Sequence, residues 1–146
     1  MQSIIPTLAV ADVDATIAFY RDVLGFTPGM VMRDGDGNPM HAEVSRGDVM
    51  IMFGPANPSD PHSVGPFGRG VWFYTTVSDD EDVDALYDHA RAAGATITQE
   101  PTDQFWGHRD WAVQDPDGYV TIVSKVIKDL SAQEMQDAAL AMAPAD

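Results

Sequence analysis

Asp12-Val13-Asp14-Ala15 returns 70 residues later as Asp82-Val83-Asp84-Ala85. Arg21 and Arg91 keep that spacing, and a glycine closes each segment, Gly25 in one and Gly94 in the other. Further on, Gly47-Asp48-Val49-Met50-Ile51-Met52-Phe53 lines up with Asp117-Gly118-Tyr119-Val120-Thr121-Ile122-Val123 at the same offset. Self-similarity at a fixed offset is the mark of a repeated supersecondary unit. The chain therefore reads as module one (3–55), a linker (56–69), module two (70–128), and a C-terminal helix and tail (129–146).

Within each module the order of elements is the same. Residues 4–10 are apolar and β-prone, which predicts a strand. Asp12 then offers a helix N-cap, Val13, Ile17, Tyr20 and Leu24 recur at helical spacing, and Gly25 can end the helix. Strands are expected around 29–33, 40–45 and 49–53, with a turn at 34–38. Module two repeats this: a strand at 71–77, a helix over 80–93, and strands near 95–99, 109–114 and 119–126. Asp115-Pro116-Asp117-Gly118 is a hairpin turn, because proline presets its own φ and glycine supplies a positive one. Ser131-Ala132-Gln133-Glu134 has the form of a capping box, opening a last helix to about Met142.

Composition narrows the function. The 146 residues carry 23 acidic and 8 basic side chains, a formal charge of −15, and no cysteine. That charge repels phosphate backbones and anionic lipid, so neither nucleic acid nor membrane is an expected partner. The absence of cysteine removes disulfides, thiolate metal sites and cysteine nucleophiles together. The first residues lack a basic segment and a long apolar core, and no apolar run approaches the roughly 18 residues of a membrane span. A cytoplasmic location is the expectation.

Two phrases carry a resemblance. One is Pro6-Thr7-Leu8-Ala9-Val10-Ala11-Asp12, running on to Phe19-Tyr20-Arg21-Asp22-Val23-Leu24-Gly25-Phe26. The other is Trp106-Gly107-His108-Arg109 followed by Asp115-Pro116-Asp117-Gly118-Tyr119. With the two βαβββ modules around them, they resemble the vicinal-oxygen-chelate superfamily of glyoxalases, extradiol dioxygenases and bleomycin-resistance proteins. The pattern is most similar to the bleomycin-resistance branch. The resemblance implies an α+β fold: two βαβββ modules forming a curved, mostly antiparallel sheet around a cavity, with helices on the convex side and a C-terminal helix added. It also implies a homodimer with the cavity at its interface.

Metal-dependent members of that superfamily place His and Glu ligands at four positions, which correspond here to Ile5, Met52, Trp72 and Ile122. All four are apolar, and only the methionine is a ligand at all, a soft and weak one. The inherited metal site reads as absent, with no cofactor expected. A displaced divalent-metal site is the alternative, built from His41 and Glu43, which alternate on one strand, with His108 as a third ligand. His62 lies in the linker, and His89 reads as solvated on the polar side of the second helix. Asp34 and Asp36 resemble the start of a calcium loop, but Ser45 stands where the twelfth-position glutamate should be.

The aromatic residues point to binding. Trp72 and Tyr74 share a face by alternation, and Phe105 and Trp106 sit in a polar loop. With Ile5, Met52 and Ile122 they describe a cavity with an aromatic and thioether lining, Phe105 and Trp106 at its mouth. Such a pocket suits a flat, partly hydrophobic molecule, and its aromatic faces within an acidic field suit a cation. Arg109 reads as structural, pairing with a carboxylate near the hairpin turn. Two functions are therefore expected. The first is a metal-free protein that sequesters an aromatic compound, as in antibiotic resistance. The second is a glyoxalase-like or oxygenase-type enzyme using the displaced site.

Overall fold

The structure is a computed structural model that describes residues 2–142; Met1 and the tail beyond Met142 lie outside the described residues. Module one runs β1 (Thr7–Val10), α1 (Val13–Asp22), β2 (Thr27–Arg33), β3 (Pro39–Arg46) and β4 (Val49–Pro55). Module two runs β5 (Trp72–Thr76), α2 (Val83–Ala92), β6 (Thr96–Asp103), β7 (His108–Gln114) and β8 (Val120–Val126), followed by α3 (Ala132–Met142). The strands form two four-stranded mixed sheets in the orders β1-β4-β3-β2 and β5-β8-β7-β6, antiparallel except for the β1–β4 and β5–β8 pairs. The α+β architecture of two βαβββ modules is as expected.

Local chemistry sets the element ends. The Asp12 carboxylate accepts from Ala15 N at 2.9 Å and that of Asp82 from Asp84 N at 3.0 Å, satisfying amides that open each helix. Gly25 follows α1 at φ +69° and Gly94 follows α2 at φ +77°. The capping box before α3 forms as read: Ser131 N and Oγ both donate to Glu134 Oε2, at 2.8 and 2.7 Å. The strand expected from residue 4 begins only at Thr7. Pro6 has no N–H to add to a ladder, and only its carbonyl takes part, accepting from Met52 N at 2.9 Å.

One core spans both modules. Val10, Tyr20 and Phe53 from module one join Tyr87, Trp111 and Val123 from module two. Fully buried side chains of this size each contribute about 1.5–3 kcal/mol. The Trp111 indole N–H donates to Val83 O at 3.0 Å, so this tryptophan belongs to the core.

Each module also grips the other through a hairpin turn. The β7–β8 turn presents Asp117, whose carboxylate accepts from Ala11 N at 2.7 Å and Thr16 Oγ1 at 3.3 Å, while the Tyr119 hydroxyl donates to Ala9 O at 3.0 Å. In the reverse direction the β3–β4 turn presents Arg46, which pairs with Glu81 and donates to Leu24 O. The match between modules has one irregularity. Met52 lies opposite Thr7 and its counterpart Ile122 lies opposite Tyr74, so the first strands are offset by 67 where helices and last strands keep 70. Counted from the aligned Val10 and Val77, the chain to α2 is three residues longer than the chain to α1.

Two expectations about single residues change. Arg109 pairs not with the hairpin turn but with Asp84 at the start of α2 (3.0 Å) and with Asp103 on the adjacent strand β6 (2.7 Å). His89 is not simply solvated: its Nε2 lies 2.7 Å from Asp22 O, where the C-terminal carbonyls of α1 need partners. Among the described residues no helix is long and apolar enough to cross a membrane.

Candidate functional site

The helices cover one face of each sheet and leave the other open. On β5, Phe73 and Thr75 point toward the core, while Trp72 and Tyr74 stand on the open face, 65% and 46% exposed. Register places Tyr74 beside Ile122 and Ala112, and Asp110 beside Ser124, all on that face.

A polar hub forms around the Tyr74 hydroxyl. It lies 3.0 Å from His108 Nδ1 and 3.0 Å from Ser124 Oγ, and it accepts from the Trp106 indole N–H at 3.2 Å. His108 Nδ1 and Ser124 Oγ are themselves 2.8 Å apart. Behind them the carboxylate of Asp110, only 2% exposed, accepts from Gln99 Nε2 at 2.6 Å and Gln104 Nε2 at 2.7 Å. A buried carboxylate needs such donors, and these amides fix its orientation. Trp106 is thereby tied to the sheet, with Phe105 edge-on to it at a ring separation of 4.8 Å.

The turn carrying these two aromatics depends on Gly107. Its φ is +86°, and a Cβ there would stand 2.1 Å from Lys128 O. Its carbonyl accepts from both Ile127 N and Lys128 N, pinning the β6–β7 turn to the chain that leaves β8. The glycine of the Trp-Gly-x-Arg phrase therefore sets where Trp106 lies.

The open face of module one is rich in thioethers. Met52 lies beside Glu43 and Thr7, whose hydroxyl is 3.8 Å from its sulfur, and Met32 lies opposite His41. His41 Nε2 and Glu43 Oε1 are 3.2 Å apart. Between the modules runs a cavity of about 580 Å³, lined by Ile4, Ile5, Pro6 and Met50 from one side and Trp72 and Tyr74 from the other.

The profile of the Glyoxalase/Bleomycin resistance protein/Dioxygenase superfamily matches residues 4–123. The chain belongs to this superfamily. It is 31% identical over 145 residues to the uncharacterized protein Mb0911c of Mycobacterium bovis, covering 91% of this chain and 89% of that one. The same identity and span hold for the uncharacterized protein Rv0887c of Mycobacterium tuberculosis, of which 79% is covered. Among solved structures, TioX from Micromonospora sp. ML1 superposes with a TM-score of 0.68 at 26% identity, over 86% of this chain and 99% of that one. A glyoxalase/bleomycin resistance protein/dioxygenase from Nocardioides gives 0.68 at 22%, over 88% and 85%, a likeness of fold.

Within the superfamily's frame, the structure brings Ile5, Trp72 and Tyr74 into one cavity and ties Trp106, with Phe105 beside it, to Tyr74. Met52 and Ile122 occupy equivalent places, opposite Thr7 and Tyr74, but lie outside the cavity lining. The four positions that the resemblance assigns to ligands hold Ile5, Met52, Trp72 and Ile122, and a donor set of one thioether does not fit a divalent ion. The displaced alternative does not assemble within the chain either. His41 and Glu43 belong to one sheet and His108 to the other, and among the described residues no group of three His, Cys, Asp or Glu is placed to hold a metal ion. His108 instead serves the Tyr74 hub. Sequence reasoning missed Met50, Gln99, Gln104, Asp110 and Ser124. The alternation of His108 with Asp110 was a usable sign, but the link to Ser124 arises only from the β7–β8 register.

Proposed function

We propose that this superfamily member is a small-molecule binding protein, one that sequesters an aromatic or partly hydrophobic compound at the open sheet faces without a metal. The observation that carries this reading is the aromatic wall of Trp72, Tyr74 and Trp106, fixed by the Tyr74 hub beside the 580 Å³ cavity. An apolar cavity with a few converging polar groups is the usual form of a small-molecule site. Indole and phenol rings offer stacking surface, and His108 supplies one polar tip able to donate or accept. The net charge of −15 favours a cationic ligand.

The cavity's second wall comes from another copy of the chain in this reading. Ile4, Met30, Met32, Met40 and Trp72 are each more than half exposed in the single chain. So much exposed apolar surface suits an interface, and a homodimer covering the open-face part of it would enclose the ligand.

Titration with proflavine, a flat cation, and 1-naphthol, a flat neutral compound, tests the binding role. Saturable quenching of tryptophan fluorescence, loss of quenching in Trp72→Ala, and recovery of the compound unchanged support it. Chemical conversion of the compound, or equal quenching in Trp72→Ala, contradicts it.

A further inference from the structure

We propose that the crevice between the modules on their helix-bearing side is a second binding site, for a compact arylalkylamine: one aromatic ring on a short chain ending in ammonium. The argument starts from the internal symmetry. At the β1–α1 junction of module one, the opposing hairpin turn inserts two side chains. Asp117 bonds Ala11 N and Thr16 Oγ1, and Tyr119 reaches Ala9 O while its ring lies 6.3 Å from that of Phe73. At the matching β5–α2 junction of module two, the 70-offset counterparts of Asp117 and Tyr119 are Gly47 and Val49. The carboxylate and the aromatic ring are both missing, and the junction is three residues longer.

A cavity of about 610 Å³ lies there, with Gly47 and Val49 in its wall. Leu24, Phe26, Val77 and Val123 supply its apolar surface. Val49 alternates with the buried Ile51 and Phe53, so its side chain points to the helix-bearing side, while Asp48, Val49, Thr75 and Thr76 form the wall shared with the cavity that Trp72 lines. The protein itself fills the matching place with a phenol ring, which is the sense in which the vacant one fits an aromatic group.

Two further features define the ligand. Thr121 lines the cavity and is 3% exposed, and its hydroxyl faces the buried Tyr20 hydroxyl with neither in hydrogen-bond geometry. A buried hydroxyl left unmatched is unfavourable, and a polar group on the ligand would satisfy it. Asp48 and Asp80 also line the cavity, and among the described residues neither is in an ion pair. The one cationic group in the lining, Arg46, is already held by Glu81 and Leu24 O. The free carboxylates therefore select an ammonium head.

Tyramine and 4-ethylphenol, which differ by the ammonium, are the probes, with amide NMR shifts as the readout. Tyramine is expected to saturate with shifts at Val77, Ser78 and Thr121, which line this cavity and not the one at Trp72, and 4-ethylphenol to bind about tenfold more weakly. Val49→Tyr restores the missing ring and should weaken tyramine by about tenfold or more, whereas Trp72→Ala should leave it within about twofold. Asp80→Asn, which leaves the cavity's size unchanged, should weaken tyramine about threefold or more and carries the test if Val49→Tyr is poorly folded. Tyramine shifts that are absent, that vanish in Trp72→Ala, or that persist undiminished in Asp80→Asn overturn the proposal.

Discussion

The Tyr74 hydroxyl meets an indole N–H, a histidine nitrogen, a serine hydroxyl and, at 3.4 Å, the Asp110 carboxylate, so one oxygen orders four neighbours. Tyr74→Phe keeps the ring and removes those ties, leaving Ser124, which is fully buried, and His108 to pair only with each other, and the buried Asp110 Oδ2 without its donor. A loss of about 1–2 kcal/mol in urea unfolding is expected, together with weaker capture of aromatic compounds as Trp106 loosens. Asp115 supports a pH prediction. Burial of its carboxyl pushes its pKa up to about 6 against an ordinary 3.8, in spite of bonds from Asp117 N and Tyr119 N, and its Oδ2 has no partner. Because the folded pKa is raised, the ionised form destabilises the fold above pH 6. The penalty is relieved as pH falls from about 6 to about 4. Asp115→Asn should therefore be about 1–2 kcal/mol more stable than the parent at pH 7.5, allowing for solvent at the turn, with the difference closing near pH 4. Paired denaturation curves at the two pH values check this.

At the scale of the elements, the β6–β7 turn and the α1 end make contrasting predictions from glycine. Gly107→Ala forces a Cβ onto Lys128 O and should cost about 2 kcal/mol or more and shift the tryptophan emission. Gly25→Ala meets nothing within 4 Å, and its positive φ alone should cost about 1 kcal/mol with the emission unchanged. The elements themselves were legible because their signals are local: aspartate caps, helical spacing, the Asp-Pro-Asp-Gly turn and the Ser131–Glu134 box each act within a few residues. The start of β1 was misjudged because Pro6 is apolar like its neighbours yet lacks a donor. The unequal loops were also within reach, since the first strands match at an offset of 67 and the helices at 70. The hub was not, because Gln99, Asp110 and Ser124 come from three strands and meet only through sheet register, with Gln104 added from the β6–β7 turn.

For the whole molecule, the two modules are held by reciprocal turn contacts and a shared core, while their open faces leave Met30, Met32 and Trp72 without cover. Light scattering should give a mass twice the 15.8 kDa of one chain, and Trp72→Glu should shift it toward a single chain. The charge of −15 acts over the whole surface. Capture of a cation should weaken as salt rises past about 0.1 M, and capture of a neutral aromatic should not. The central claim is that the aromatic wall on the open face holds a ligand without altering it. Titrating proflavine into the protein and into Trp72→Ala, with the compound analysed afterwards, tests this most directly. The account predicts saturable quenching in the parent, its loss in the variant, and proflavine recovered unchanged; quenching that is identical in both proteins, or a converted product, would contradict it.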